Sequence, residues 1–258
     1  MAATAETTWH PADVFSGGPK SHKESALVVL NQPLELHASV YTKIWGNSVY
    51  RVAVDGGANR IHDLNISSKL DFAVDLVIGD LDSLLPDVRK YWEQKGVSIT
   101  HDPDQYTTDF TKAVNHIWSS ERAHPKDITV LGGLGGRVDQ GISVLHHLYM
   151  FQKDYTPGKM FLLSSEGITF VLKSGKHKIK ARENFGDIYL GKHVGIIPLK
   201  EPSTITTKGL EWDVTDWETD FGGQISTSNH VNAEWVTIET TKDVLFTIDF
   251  NTASQESG

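Results

Sequence analysis

From Ala26 to about Ser164 the chain alternates between short apolar runs and amphipathic stretches, and this alternation restricts the fold more than any other feature. Short apolar runs alternating with helix-like segments are how a parallel sheet built with crossover helices appears in sequence. The predicted strands are 26–30 (ALVVL), 50–54 (YRVAV), 75–79 (DLVIG), 97–100 (VSIT), 127–131 (DITVL) and 159–163 (KMFLL). Between them, residues 84–94 set Leu85, Val88 and Trp92 near one helical face, and residues 108–118 do so with Phe110, Val114 and Ile117. Gly96 is expected to stop the first of these helices.

After Ser165 the helical periodicity fades. Runs at 168–172, 177–181, 193–199, 203–207, 224–228, 234–240 and 244–250, punctuated by Gly and Pro, suit a small antiparallel sandwich or barrel. The expected fold class is an α/β N-terminal domain with a mostly parallel sheet, Rossmann-like and three-layered, followed by an all-β sandwich or barrel domain. The expected limits are a flexible leader over 1–25, the α/β domain over 26–160, the β-sandwich domain over 161–250 and a flexible tail over 251–258.

Composition narrows the partners. The 258 residues hold 33 acidic and 24 basic side chains, a formal charge of −9, with no basic block to displace counterions from a nucleic acid. The absence of cysteine excludes disulfides, thiolate metal sites and a cysteine nucleophile. No stretch approaches the roughly 18 apolar residues that span a bilayer, and the N-terminus lacks the pattern of a secretory signal. A cytoplasmic protein without nucleic-acid or membrane partners is expected.

In an open parallel sheet, ligands bind beyond the carboxyl ends of the strands, so the residues after each strand carry the most information. The first strand runs into Asn31-Gln32-Pro33 and the second into Asp55-Gly56-Gly57-Ala58-Asn59-Arg60. Paired glycines at a helix start permit a sharp turn whose free N–H groups favour a phosphate; a plain tight turn capped by Asp55 uses the same residues. The third strand ends in Gly79-Asp80-Leu81-Asp82-Ser83. Carboxylates at i and i+2 of an extended segment point to one side, as hard-cation coordination requires, although a solvated surface turn has the same composition.

Beyond the fourth strand, in 102–112 (DPDQYTTDFTK), Thr107 or Thr108 can cap a helix with Asp109 in its first turn and Lys112 one turn on, within reach of a phosphate. A dipole-compensating Asp and a solvated Lys are the plainer account of that segment taken alone. The fifth strand leads into 131–140 (LGGLGGRVDQ), where four glycines in five positions precede Arg137. Such a backbone can approach a nucleotide closely, and Arg137 supplies a fixed charge. The segment is not a Walker A loop, since no Lys-Ser or Lys-Thr follows, and Val138 stands where GxGxxG needs its last glycine. Carboxylates, glycine cradles and cations at successive strand ends form the inventory of metal-assisted phosphoryl or nucleotidyl transfer.

DGGANR (55–60), GDLDS (79–83), DQYTTDFTK (104–112), GGLGGRVDQ (132–140), TTKGLEWDV (206–214) and STSNH (226–230) follow one another as in thiamine pyrophosphokinases, and the chain resembles that family from about Leu27 to Phe250. The resemblance implies an ATP- and Mg2+-binding catalytic domain, a thiamine-binding β-sandwich domain, and a homodimer with active sites at the subunit interface. It also implies transfer of a pyrophosphoryl group from ATP to the hydroxyethyl oxygen of thiamine, giving thiamine diphosphate and AMP with Mg2+ required. By the motif match, Asp80, Asp82 and Asp109 are the metal-site candidates with Asp55 close by, and these four with Arg137 form the implied catalytic set. Asn31, Gly56, Gly57, Arg60, Thr108, Lys112, Gly133, Gly136, Arg137 and Asp139 would line the ATP site.

Thiamine is an aromatic cation with an aminopyrimidine edge, so its pocket calls for an aromatic wall with amide and hydroxyl partners. Gln105 from the first domain and Ser226 and Asn229 from the second supply polar groups, and Trp212 is the expected wall, with Trp217 and Trp235 as competitors. The expected chemistry is in-line attack on the β-phosphorus, with Arg137 and Lys112 stabilising the developing charge. Asp55 and Asp104 are the candidates to take the hydroxyl proton, and no histidine stands out as a base. Two other functions stay open at this level: a non-catalytic nucleotide- or thiamine-binding protein, and a Mg2+-dependent nucleotide hydrolase.

Overall fold

The computed structural model of the chain describes residues 6–16, 25–119, 127–154 and 158–252. They divide into two compact units, Val14–Ser165 and a second that joins Met1–Asp13 to Glu166–Gly258. Thr7–Trp9 form a strand, β1, and a 3-10 helix follows over Pro11–Phe15. The polar composition of residues 1–25 predicts a flexible leader, and over 6–16 the structure corrects this; 1–5 and 17–24 lie outside the described residues.

The α/β unit continues with β2 (Ser25–Val29), α1 (Ala38–Gly46), β3 (Ser48–Val54), α2 (Gly57–Ser68), β4 (Leu76–Gly79) and α3 (Pro86–Gln94). It is completed by β5 (Ser98–His101), α4 (Asp109–Ser119), β6 (Asp127–Leu131), α5 (Val138–Asp154) and β7 (Met160–Leu163). Strand order within it is β7-β6-β2-β3-β4-β5, and every neighbouring pair is parallel. All the carboxyl ends therefore lie along one edge, and the order reverses between β2 and β6, where a crevice for ligand opens. β2, β4 and β7 are buried at every position, which is why they read as continuous apolar runs. Because β7 pairs with β6, the α/β unit extends past the expected limit at residue 160 to Ser165.

Local signals set the helix ends. Pro86 opens α3, and Gly96 at φ +75° follows its last turn. The packed face of this segment differs from the periodicity: Val88 and Trp92 are buried, but Leu84 and not Leu85 is the third buried residue. Leu85 precedes the first helical turn, so its side chain does not follow the helical spacing. In α4 the expected Phe110, Val114 and Ile117 are all buried.

The β-rich unit contributes β8 (Gly167–Leu172), β9 (Gly175–Lys180), β10 (Asn184–Phe185), β11 (Ile188–Ile197) and β12 (Ser203–Lys208). β13 (Trp217–Thr219), β14 (Ser226–His230), β15 (Trp235–Thr240) and β16 (Val244–Thr252) complete it. One sheet runs β1-β9-β15-β12-β13; a second set runs β10-β11-β16-β8, with β14 paired to β11. Asn251 and Thr252, expected in a flexible tail, belong to β16, and 253–258 lie outside the described residues. β1 adds to the first sheet in parallel with β9. Trp9, 4 % exposed, stacks on Phe170 of β8 at 4.6 Å and donates its indole N–H to His177 Nδ1 at 3.0 Å. His177 in turn bonds the Lys173 carbonyl through Nε2 at 2.7 Å, so the buried ring is satisfied at both nitrogens.

Candidate active site

Beyond the carboxyl edge of the parallel sheet lies a cleft of about 610 Å³. Asp55, directly after β3, adopts φ +45°, a conformation that Asp tolerates better than most residues. Its N–H still bonds Ile78 O of β4 at 2.9 Å, so the sheet's own pairing holds the turned residue. Asp80 follows β4 and Asp109 opens α4; ligand oxygens of Asp55, Asp80 and Asp109 lie within 4.8 Å of one another. Asp80 N–H donates to Asp109 Oδ1 at 3.1 Å, and Asp55 Oδ1 accepts Ser83 N–H at 3.3 Å. Between these loops, Gly79 admits the crowding: a Cβ there would stand 2.9 Å from Asp55 Cβ and 3.1 Å from Asp109 Cγ.

Lys112 enters the cluster from below. Its buried Nζ donates to Asp109 Oδ1 at 2.9 Å and to Asp102 O at 2.8 Å. Burial alone would lower the ammonium pKa, but the Asp109 hydrogen bond and the charges of Asp109, Asp102 and Asp80 outweigh it and raise the value. At Asp55 burial raises the carboxyl pKa; hydrogen bonds from Ser83 and Gly56 oppose this, and the charges of Asp109 and Asp82 add to it. Three carboxylates facing one ammonium leave negative charge uncompensated, and an all-oxygen donor set of this kind fits a hard divalent cation such as Mg2+.

Across the cleft, the loop after β6 carries Gly132 at φ +73° and Gly136 at φ +65°. A Cβ on Gly136 would meet Gln32 Oε1 at 2.7 Å, so the glycines let this loop close on the segment after β2. Gly133, Arg137 and Gln140 face the cleft. The Arg137 guanidinium lies three-quarters exposed and grips Asp139 with two bonds of 3.1 and 2.6 Å, which raises the arginine pKa and lowers that of the carboxyl.

A second cleft, of about 260 Å³, lies in the β-rich unit and is lined by Trp212, Trp217, Ser226 and Asn229 among others. Trp212 is 55 % exposed at the tip of the loop between β12 and β13. Asp213 shapes that loop by accepting Gly209 N–H, Leu210 N–H and the Thr207 hydroxyl at 2.9–3.1 Å. Asn229 braces it from β14: Oδ1 accepts Trp212 N–H at 3.1 Å and Nδ2 donates to Trp212 O at 2.9 Å.

Residues 41–159 match the description "Thiamin pyrophosphokinase, catalytic domain", and residues 176–245 match "Thiamin pyrophosphokinase, vitamin B1 binding domain". The chain belongs to the thiamin pyrophosphokinase family. It is 36 % identical to "Thiamine pyrophosphokinase 2" of Arabidopsis thaliana over 240 residues, covering 86 % of this chain and 85 % of the relative. With the yeast "Thiamine pyrophosphokinase" it shares 27 % over 278 aligned positions, covering 90 % and 87 %. The crystal structure of yeast thiamin pyrophosphokinase superposes with a TM-score of 0.84 at 25 % identity, covering 97 % of this chain and 93 % of that one. The thiamin pyrophosphokinase from Candida albicans gives 0.79 at 25 %, covering 97 % and 95 %.

The family motifs converge unevenly. The structure brings Asp80 and Asp109 together with Asp55, whereas Asp82 lies outside the 4.8 Å group and receives the Ser83 hydroxyl at 2.8 Å. Gly56 and Gly57 are buried: Cβ atoms there would overlap the Asn31 amide at 2.3 Å and Val29 O at 2.2 Å, so both serve the packing of α2 against the end of β2. Arg60 holds Asn31 Oδ1 at 2.9 Å. Gln105 Nε2 reaches Asp80 Oδ2 at 3.5 Å in the α/β cleft. Trp235 faces His10, Lys178 and Lys180, which removes it from the second cleft.

Two residues missed in the sequence also have defined roles. Asn59 ties α2 to the loop carrying Asp80 through Ser83 O at 2.8 Å and Leu85 N–H at 3.1 Å; its place inside DGGANR was the available signal. His147 lines the α/β cleft from α5, and nothing in its sequence setting distinguishes it from the other histidines.

Proposed function

We propose that this chain transfers a pyrophosphoryl group from ATP to the hydroxyethyl oxygen of thiamine, yielding thiamine diphosphate and AMP. The observation that carries the reading is the Asp55/Asp80/Asp109 cluster facing a glycine-rich loop across one cleft, in a chain that matches both domains of the family. In the reaction the thiamine oxygen bonds to the β-phosphorus, the bond from that phosphorus to the α,β-bridging oxygen breaks, and the hydroxyl proton is released. Mg2+ held by Asp55, Asp80 and Asp109 would neutralise phosphate charge. Lys112 holds Asp109 through the 2.9 Å bond from its Nζ to Oδ1. Arg137 is free to exchange its exposed partner Asp139 for a phosphate, which its planar fork suits as well.

Asp104 shapes the loop and is a poor base, since the Thr107 hydroxyl and the Tyr106 N–H lower its pKa. Trp212, with Ser226 beside it, forms the aromatic wall for the thiamine cation, and Asn229 supports that wall instead of contacting the vitamin through a free amide. Gln105 supplies an amide from the α/β cleft. The reading includes a homodimer, as the family resemblance implies, and sedimentation velocity tests it. Among the described residues no helix is long and apolar enough to cross a membrane, and the reading keeps a cytoplasmic location.

The decisive assay follows nucleotide products from ATP and Mg2+ with and without thiamine. AMP formed only when thiamine is present, together with thiamine diphosphate, is expected. ADP with thiamine monophosphate would place the attack on the γ-phosphorus, and AMP release without thiamine would make the chain a hydrolase; either outcome refutes the reading.

A further inference from the structure

His147 lies on α5, the helix that leaves the glycine-rich loop, and is 7 % exposed. Its Nδ1 stands 2.6 Å from the Ser143 carbonyl oxygen. A carbonyl only accepts, so Nδ1 carries a proton. Burial lowers the pKa of this ring, with the Ser143 carbonyl opposing and His146 adding, which keeps the imidazole neutral and leaves Nε2 as an acceptor. The Thr108 hydroxyl, 2.9 Å from Nε2, must then donate to it.

That assignment saturates Thr108. Its oxygen also accepts Thr111 N–H at 3.2 Å and meets the Thr111 hydroxyl at 3.0 Å, giving one donated and two accepted bonds, the full capacity of a hydroxyl. Thr111 N–H lies in the first turn of α4, and that turn presents Asp109 to the carboxylate cluster and Lys112 to Asp109. Phe110 and Phe151 flank the imidazole at 5.8 Å each and fix its plane.

We propose that His147 is a positioning residue for the transfer: acting through Thr108, it ties the glycine-loop helix α5 to the first turn of α4 and so holds Asp109 in register with the cluster. On this account Thr108, expected from the family resemblance to line the ATP site, acts through the fold and not through the nucleotide. The inference rests on the transfer reaction proposed above, and part of its test is independent of turnover.

In a long-range 1H–15N NMR spectrum of histidine-labelled protein, His147, assigned by its absence in His147→Gln, should be the neutral Nδ1–H tautomer; an Nε2–H tautomer overturns the proposal. His147→Leu and Thr108→Val should each lower kcat by about 10- to 100-fold, the scale of a sub-ångström to 1 Å misplacement, with KM for thiamine unchanged. The double variant should fall no further than the worse single one, because both remove the same link. His147→Gln, which keeps a hydrogen-bonding group at the Nε2 position, should recover most of kcat. Both apolar variants should also weaken Mg2+ binding measured calorimetrically without nucleotide. Losses that multiply, or a folded His147→Leu protein with native kcat and native Mg2+ affinity, overturn the proposal. A wild type that makes no AMP refutes the proposed function, while the tautomer and Mg2+ binding still decide the role of His147.

Discussion

Gly79→Ala tests the geometry of the cluster most directly, because the position touches two of its carboxylates without contributing a functional group. A methyl group there would stand 2.9 Å from Asp55 Cβ and 3.1 Å from Asp109 Cγ. Carbon atoms in contact prefer about 3.5–4.0 Å, so the two side chains must yield by roughly 0.5–1 Å. Overpacking of this size costs about 1–3 kcal/mol, and the backbone at φ +155° adds strain of about 1–3 kcal/mol for any residue with a Cβ; together they stay within a total stability of about 5–15 kcal/mol, and the protein should stay folded. The same displacement moves the carboxylates by enough to lower kcat by about 10²-fold. Gly96→Ala is the control: φ is +75° there and nothing lies within 4 Å of the added carbon, so only backbone strain of about 1–2 kcal/mol is added. Thermal melts and thiamine-dependent AMP formation, measured on both variants, separate the two effects. Native kcat in a folded Gly79→Ala protein would refute the convergence of Asp55 and Asp109 on one cation.

Asp55→Asn should raise the melting temperature of the metal-free protein at neutral pH and abolish the further rise caused by Mg2+. The sign follows from the raised carboxyl pKa: the folded state holds the proton more tightly than the unfolded one, so stability falls as pH rises through the folded pKa, and the amide escapes that loss. Melts against pH, with and without Mg2+, check this, and identical curves for the two proteins would count against it. Trp9→Ala should cost the β-rich unit about 3–5 kcal/mol, measured as a lower urea midpoint; an unchanged midpoint would mean that β1 contributes nothing to the fold. Asn229→Ala leaves the Trp212 N–H without its buried acceptor, at about 1–3 kcal/mol, and should raise KM for thiamine about tenfold or more while leaving Mg2+ binding intact. A native KM would detach Trp212 from substrate binding.

β2, β4 and β7 were legible because each is buried at every position and is apolar for most of its length. β11 was harder: it begins at Ile188 and not at His193, because Gly191 and Lys192 interrupt the pattern where its pairing with β16 slips. β1 left almost no local signal. Three residues, Thr7–Trp9, become a strand only because β9, some 170 positions away in sequence, offers an edge and Phe170 a stacking surface. In the cleft, spacing singled out Asp80 with Asp82 and the motif match added Asp109, whereas the carboxylates that stand together are those of Asp55, Asp80 and Asp109, because the left-handed turn at Asp55 decides where its carboxylate goes.

By itself the sequence determined the succession of elements, the acidic and glycine-rich segments at the strand ends, and the family. Those follow from burial period, turn chemistry and motif order, all of which are local. Only the tertiary structure decided which of these residues act together. Parallel pairing lines up carboxyl ends that are far apart in the chain, a glycine at position 79 lets two carboxylates close on one point, and a buried histidine on α5 reaches the cap of α4. Each depends on distances between segments that no local pattern encodes.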